Sequence, residues 1–242
     1  MRPAGVIQLA SYAAAGGGGG FAGVVQATPL HISGGGGSSW AISPATPYVL
    51  NHLVVVPFGY YRDGGAADVT GMKCNGVSMS KATFIQTDDG GTHVFESDIW
   101  LGYAGNTIAN GGAGPDGISA TLASSGAIYV NACAIERDDA VVSSPLGPVN
   151  TASGHSNAPA VGLTPSQAKM FIVTAMCGEN NATDTITIPS LWISAYVNSD
   201  GSSEVPCAGA YEDVNSTSPL TATYGYAAVR DWVACIAAIK LQ

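Results

Sequence analysis

Two carboxylates, Glu96 and Asp98 in the stretch HVFESDIWLGY, are the residues whose types and spacing best fit acid–base chemistry. Alternate residues of a β-strand share a face, so the two carboxylates would stand about 6–7 Å apart beside Trp100. That separation suits a glycosidase pair or a calcium site, and the indole adds a surface for a sugar. A solvated sheet face produces the same pattern. We expect the solvated face, with no catalytic residue and no enzyme activity, and keep the three residues as an alternative ligand-binding set.

The other motifs that could carry chemistry lack the partners they need. Residues 18–23 match the dinucleotide-binding fingerprint, but Pro29 would end the required helix and no acidic residue occurs before Asp63. The four histidines have no short metal-ligand spacing. We therefore predict no cofactor and no metal-binding residue, with weak calcium binding by the turn acids of residues 88–91 as the open alternative.

The charged residues are distributed unevenly along the chain. The first 62 residues contain no Asp or Glu, whereas residues 63–242 contain all 17 acidic residues. An acidic body repels phosphates, so we predict that the protein does not bind nucleic acid. No apolar run reaches the ~20 residues of a membrane-spanning helix, so we predict no membrane insertion.

Five cysteines occur without a CxxC motif or a short pairing. Such a set argues against a disulfide framework and against a zinc site. Cys133, Cys177 and Cys235 lie in or beside apolar, strand-like runs. We therefore predict free, buried thiols and folding in a reducing cytoplasm.

Short strands separated by turns are predicted along most of the chain. Asn75-Gly76 is typical of a tight hairpin turn, and residues 49–61, VLNHLVVVPFGYY, are typical of a strand buried on both faces. Two separate strands are expected in ISATLAS and AIYVNACAIER, and an irregular connection in residues 140–168. About ten strands without a fixed-period repeat predict an all-β, antiparallel two-sheet sandwich.

The first 48 residues are unlike the remainder. They contain two glycine runs, residues 16–20 and 34–37, and apolar side chains between and after them. We predict an extended Gly-rich N-terminal arm over residues 1–48 and the sandwich over residues 49–242. An uncharged arm with apolar side chains is typical of a segment that lies on another subunit. The predicted partner-binding residues are Phe21, Val24, Val25, Leu30, Ile32 and Trp40. The alternatives are a mobile tail or an arm folded back on its own body.

The order of the strand-like stretches resembles a group of jelly-roll-like domains common among bacteriophage structural proteins. The stretches are VTGMKCNGVSMSKA, VFESDIWLGYAGN, ISATLASSGAIYVNACAIERDD and KMFIVTAMC. The resemblance covers roughly residues 48–242, concerns pattern rather than an invariant motif, and departs at Cys74-Asn75-Gly76, where those domains have a polar hairpin loop. It implies a virion protein, such as a capsid decoration protein, a head spike or a tail-fibre module. It implies no catalytic residues.

The sequence therefore favours a structural component of a phage virion, assembled in the host cytoplasm. We expect a surface decoration, cement or spike protein that its arm anchors to neighbouring capsid or tail subunits, as a homo-oligomer and most simply a trimer. One alternative is a tail-fibre module that binds a receptor or host-surface glycan, using the loop of residues 104–117. A second is a polysaccharide-degrading enzyme that uses Glu96 and Asp98.

Overall fold

A computed structural model of the protein describes residues 23–63, 69–88, 93–105, 117–141, 143–179, 185–198 and 206–242. Within these ranges the chain forms sixteen strands and no helix. The strands are β1 (Val24–Ile42), β2 (Leu53–Asp63), β3 (Val69–Cys74), β4 (Val77–Ser78), β5 (Ser80–Asp88), β6 (His93–Tyr103), β7 (Ile118–Arg137), β8 (Leu146–Ser156), β9 (Ala160–Leu163), β10 (Lys169–Gly178), β11 (Ile186–Thr187), β12 (Ile193–Asn198), β13 (Cys207–Asn215), β14 (Leu220–Thr223), β15 (Gly225–Tyr226) and β16 (Arg230–Lys240). The predicted all-β class is therefore confirmed.

Two antiparallel sheets form the body. The larger sheet has the order β4-β3-β7-β2-β6-β5. Strands β3 and β2 pair with different parts of the long strand β7, and β1 pairs with β7 along its whole length. The smaller sheet has the order β12-β13-β10-β16-β8. Their facing surfaces enclose an apolar core that includes Leu53, Val55, Ile99, Ile135, Phe171, Val173 and Val233. This is the sandwich arrangement expected from the sequence, while the jelly-roll connectivity stays a prediction.

The outer faces of both sheets are also covered. The ribbons β9–β14 and β11–β15 pack on the outer face of the smaller sheet, which explains why β10 and β16 are apolar on both faces. On the larger sheet, an outer core contains Phe58 and Tyr60 of β2, Trp100 of β6 and Met72 of β3. The covering layer there comes from the larger sheet itself.

The long ribbon formed by β1 and β7 folds back over this outer face. Trp40 of β1 pairs with Ala120 of β7, while Phe58 of β2 pairs with Ala132, twelve residues further along β7. A straight strand would separate these two places by about 40 Å. The Trp40 and Phe58 ring centroids are nevertheless 5.6 Å apart. The ribbon must therefore bend between them.

The second glycine run lies at this bend. The β1 register shifts between Ile32 and Gly35 and again between Gly37 and Ser39. Bulges of this kind increase the local twist and bend a strand, and glycine permits the backbone conformations that they need. Residues 34–37 therefore act in the fold of a strand rather than in a flexible linker.

The structure consequently places much of the predicted arm inside the sandwich. Residues 24–42 pair with β7 from one end to the other, which corresponds to the alternative in which the arm folds back onto its own body. The boundary predicted at residue 48 falls in the turn between β1 and β2. Residues 1–22 lie outside the described residues.

Three local predictions have clear outcomes. The Asn75-Gly76 turn is confirmed, with φ values of 47° and 81° at its two central residues. The two strands expected between Ile118 and Arg137 are one continuous strand, β7. The irregular connection predicted over residues 140–168 is wrong, because β8 and β9 lie there. Strand β8 is the edge of the smaller sheet, a position that tolerates its Pro, Ser and Gly residues.

Candidate functional site

The carboxylates Glu96 and Asp98 are buried, so the expectation of a solvated face was wrong. Both side chains have 0 % relative exposure. They lie on the face of β6 that also carries Trp100, opposite Tyr60 and Phe58 of β2. The outer core covers this face, and it forms only because the β1–β7 ribbon folds over the sheet. The local sequence pattern of β6 does not predict that covering layer.

Lys81 of the edge strand β5 is the cation of this site. Its Nζ lies 3.2 Å from Asp98 Oδ2 and 3.8 Å from Glu96 Oε1. The Trp100 Nε1–H donates a hydrogen bond of 3.1 Å to the same Asp98 oxygen. The amine stands over the Phe84 ring, 4.3 Å from its centroid, and 5.4 Å from that of Trp100. The Lys81 side chain is 19 % exposed, so the cluster meets solvent on the side of Lys81.

The two carboxyl groups lie next to each other on the same face of β6. Burial raises the pKa of Asp98 above its ordinary value, while its interactions with Glu96, Lys81 and Trp100 oppose that rise. The arrangement therefore holds an amine and two carboxyl groups close together, with both carboxyl groups away from bulk water.

This geometry does not suit an extended sugar substrate. A glycosidase needs both carboxyl groups beside the glycosidic bond, and these two have no exposed surface. A groove of about 330 Å³, lined partly by Lys73, Ser78 and Thr121, reaches Trp100. The Trp100 side chain is only 6 % exposed, so its ring faces pack against protein and leave no platform for stacking a sugar.

Most of the predicted arm contacts are satisfied within the chain. Trp40 is buried in the outer core, and Leu30 and Ile32 pack against it. Val24 packs against the core between the sheets. Their own chain therefore buries Trp40 and partly buries the other three, which leaves less of their apolar surface for a partner subunit to cover. Val25 remains exposed, and Phe21 lies outside the described residues.

Four apolar side chains are exposed at the end of the sandwich where β1 begins. Val25, Val49, Leu50 and Val77 are each between 45 % and 50 % exposed. We call them the apolar end. Their proximity follows from hydrogen bonds and close packing that connect β1, the turn before β2 and the β3–β4 hairpin. Neither composition nor periodicity pointed to this surface, because its members come from three separate stretches.

Two sets of contacts hold the apolar end together. Buried Glu136 accepts hydrogen bonds from Val49 N–H at 2.7 Å and from the Gln26 side chain at 2.7 Å, which places Val49 beside Val25. Next to Leu50, the Asn51 N–H donates to the carbonyl of Ala104 at 3.1 Å. The following residue, Gly105, lies against the Val77 side chain, where an added Cβ would come within 2.4 Å. These contacts place the segments that carry the four apolar side chains at the same end of the sandwich.

Arg137 forms a second buried ionic cluster, which is structural. Its guanidinium donates to Asp139 and to Asp213, with shortest distances of 2.8 Å to each, and lies 4.3 Å from the Phe171 ring centroid. Burial raises the pKa of Asp213, and the hydrogen bonds and charge of Arg137 oppose that rise. The cluster joins β7 of the larger sheet to β10 and β13 of the smaller one.

All five cysteines are free and buried, as predicted. Cys177 and Cys207 lie directly opposite each other on β10 and β13, with their sulfur atoms 2.9 Å apart. The sequence analysis missed this contact because thirty residues separate the two thiols along the chain. Burial raises the pKa of Cys207 well above its ordinary value, which keeps the thiol protonated.

Comparison of the chain with protein-family models, with curated proteins and with solved structures finds no match. The part of the chain that the structure describes contains no group of three or more His, Cys, Asp or Glu residues placed to hold a metal ion. A helix long and apolar enough to cross a membrane is likewise absent from the described ranges. The function is therefore inferred from the geometry of the buried clusters and of the apolar end.

Proposed function

We propose that the protein is a structural subunit of a phage virion, of the decoration, cement or spike type, and that the apolar end attaches it to a neighbouring capsid or tail subunit. The observation that carries the proposal is the clustering of Val25, Val49, Leu50 and Val77 at one end. Clustered exposed apolar side chains are typical of protein interaction sites. The proposal includes no enzymatic activity, cofactor or nucleic acid.

The position of Gly23 supports attachment through the same surface. Gly23, the first described residue, accepts a hydrogen bond from Asp138 N–H at 3.1 Å and lies two residues before Val25. The acid-free segment of residues 1–22 therefore joins the body at the apolar end. In this proposal, residues 1–22 take the anchoring role that the sequence assigned to residues 1–48, because residues 24–42 are part of the sheet.

The arrangement of ionised groups supports a structural role. Lys81 and Arg137 form ion pairs with carboxylates of the same chain. The Glu96–Asp98 site is closed to large substrates because both side chains are buried. A chain with 10 % charged residues also has few side chains with which to solvate its exposed surface. Association with other subunits would cover that surface, and a closed homo-oligomer, most simply a trimer, would do so symmetrically.

The binding claim can be tested with purified particles of the encoding phage assembled without the protein. We expect the full chain to bind them and the double variant L50D/V77D to bind at least about tenfold more weakly, since a buried unpaired charge costs more than the 1.4 kcal/mol that a tenfold loss represents. Deletion of residues 2–22 should weaken binding as well. Sedimentation with labelled protein measures all three.

V229D is a matched control. Val229 is 53 % exposed and lies directly before β16. At the other end of β16, Leu241 forms a β-bridge with Ala140, which lies just beyond the end of β7 near the apolar end. Strand β16 has eleven residues, so Val229 lies roughly 35 Å from that end of the sandwich. V229D should bind as the unaltered chain does. Equal binding by L50D/V77D would remove the apolar end from the proposal, and no binding by the full chain would remove the proposal itself.

A further inference from the structure

The Lys81, Glu96 and Asp98 cluster has the composition and geometry of a self-condensing site. We propose that Lys81 and Asp98 become joined by an intramolecular isopeptide bond between Nζ and Cγ, with Glu96 as the acid–base group. The inference concerns the chain's own covalent structure and does not depend on the proposed virion role.

The two reacting groups are held in contact by neighbouring strands. Lys81 pairs with Trp100 and Phe84 pairs with Asp98 in the β5–β6 ladder, with a bulge between Lys81 and Thr83. This places Nζ 3.2 Å from Asp98 Oδ2, an oxygen bonded to the Cγ atom that the amine would attack. Because the strands fix both side chains, the reaction is unimolecular and needs no further ordering of the chain.

The surroundings favour a neutral product over the ion pair. Both carboxyl groups are fully buried, and the Phe84 and Trp100 rings flank the amine. Charges in such an environment lose their hydration, and replacing a buried pair by an uncharged group is often neutral or stabilising. Burial also raises the pKa of Asp98, which favours the carboxylic acid that the condensation needs.

The cluster contains a group for each proton transfer on the reaction path. Glu96 Oε1, 3.8 Å from Nζ, accepts a proton from the ammonium and leaves a neutral amine. The amine nitrogen attacks Asp98 Cγ, and Oδ2 takes up negative charge while it keeps its 3.1 Å hydrogen bond from Trp100 Nε1. The Cγ–Oδ1 bond then breaks as Glu96 passes a proton to the departing oxygen and receives one from nitrogen.

The reaction is balanced without an added reactant. An ammonium, a carboxylic acid and a carboxylate become an amide, one water molecule and a protonated Glu96. The net charge is zero before and after, and no electrons are transferred. The new bond would clamp β5, the edge strand of the larger sheet, to its neighbour β6. Edge strands are the strands most easily lost from a sheet, so the bond would protect the fold where it is weakest.

The mass of the intact, denatured protein tests the proposal. We expect a mass lower than the sequence value by one water molecule, and we expect trypsin to leave the chain uncut after Lys81 because the amide removes the charge that the protease recognises. K81R retains the cation but cannot form this bond, so it should have the full sequence mass. E96Q removes the proton acceptor and should also retain the full mass or lose water only slowly.

The variants separate this reaction from other dehydrations. Cyclisation at an Asp-Gly sequence, such as residues 63–64, also releases water, but K81R would leave that loss unchanged. D98N offers a second signature, because the same attack would release ammonia in place of water. Full sequence mass in the unaltered, folded protein would overturn the proposal. So would a water loss that persists in K81R. Both outcomes are compared with the mass of the unaltered chain, so the test remains decisive even if one variant folds poorly.

Discussion

Replacement of Arg137 by methionine should destabilise the fold strongly. The methionine keeps an apolar stem in the buried site but removes the guanidinium that contacts Asp139 and Asp213. Two carboxylates are then left without a counter-charge in a position where Asp213 is only 18 % exposed. Removing one partner of a buried pair is far more damaging than replacing both partners.

The contacts set the size of the effect. At the 2.8 Å between Arg137 Nη1 and Asp213 Oδ1, an effective dielectric constant of about 20 gives an attraction of about 6 kcal/mol. The desolvation of Arg137 and the partial exposure of Asp139 offset part of it. Measured effects of breaking buried pairs are about 3–5 kcal/mol, and we expect R137M to lose that much free energy of unfolding. The double variant R137M/D213N should lose less than R137M.

The pH dependence of this loss has a definite sign. Without Arg137, the folded-state pKa of Asp213 rises further above the ordinary value of 3.8 that it has in the unfolded chain. A carboxyl with a raised folded-state pKa loses stability as the pH rises between those two values. The difference between R137M and the unaltered protein should therefore be largest near about pH 7 and should shrink towards about pH 4.

Urea denaturation at both pH values, followed by Trp fluorescence, gives the free energies of unfolding. The structural argument predicts a large loss for R137M at the higher pH and partial recovery in R137M/D213N. A loss below about 1 kcal/mol would show that the cluster contributes no more than an exposed salt bridge. A loss independent of pH would show that packing rather than charge is responsible.

Three further predictions concern packing and buried thiols. G59A should lower the free energy of unfolding by about 1–3 kcal/mol, measured in urea, because an added Cβ would lie 2.6 Å from Cys207 Sγ. G71A is the control: no atom lies within 4 Å of its added Cβ, so its urea midpoint should change little. Cys74 and Cys133 are fully buried and should resist a thiol reagent in the native protein but react in urea; rapid native labelling would contradict their burial. Burial raises the pKa of both thiols to about 12 from an ordinary value of 9.0, so stability should fall as the pH rises above about 9, and a constant urea midpoint up to about pH 11 would contradict this.

The sequence was sufficient for features that short stretches determine. Asn75-Gly76 specifies its own turn, since both residues accept the positive φ values that a tight hairpin needs. The continuous apolar run before Arg62 similarly predicted a strand buried on both faces, and β2 lies between β6 and β7. The antiparallel all-β class followed from many such local signals.

Features set by distant pairing could not be read in the same way. Burial of Glu96 and Asp98 depends on a ribbon whose two strands, β1 and β7, lie far apart in the chain. The contact between Cys177 and Cys207 depends on the register of β10 with β13. Strand β8 was missed because an edge strand needs few apolar residues. In each case the local pattern was ambiguous and the tertiary neighbours decided the outcome.

The folded ribbon of β1 and β7 also affects how the protein folds during its synthesis on the ribosome. Strand β1 is the first described strand to be synthesised, yet its partner β7 ends at Arg137, so Val24 must wait for more than a hundred further residues. At about 5–20 residues per second this delay lasts from roughly 5 to 20 seconds. During that time β1 is an unpaired strand with apolar side chains, open to association with other nascent chains. The larger sheet therefore cannot be completed before β7 is made, and its first described strand is among the last strands of that sheet to be paired.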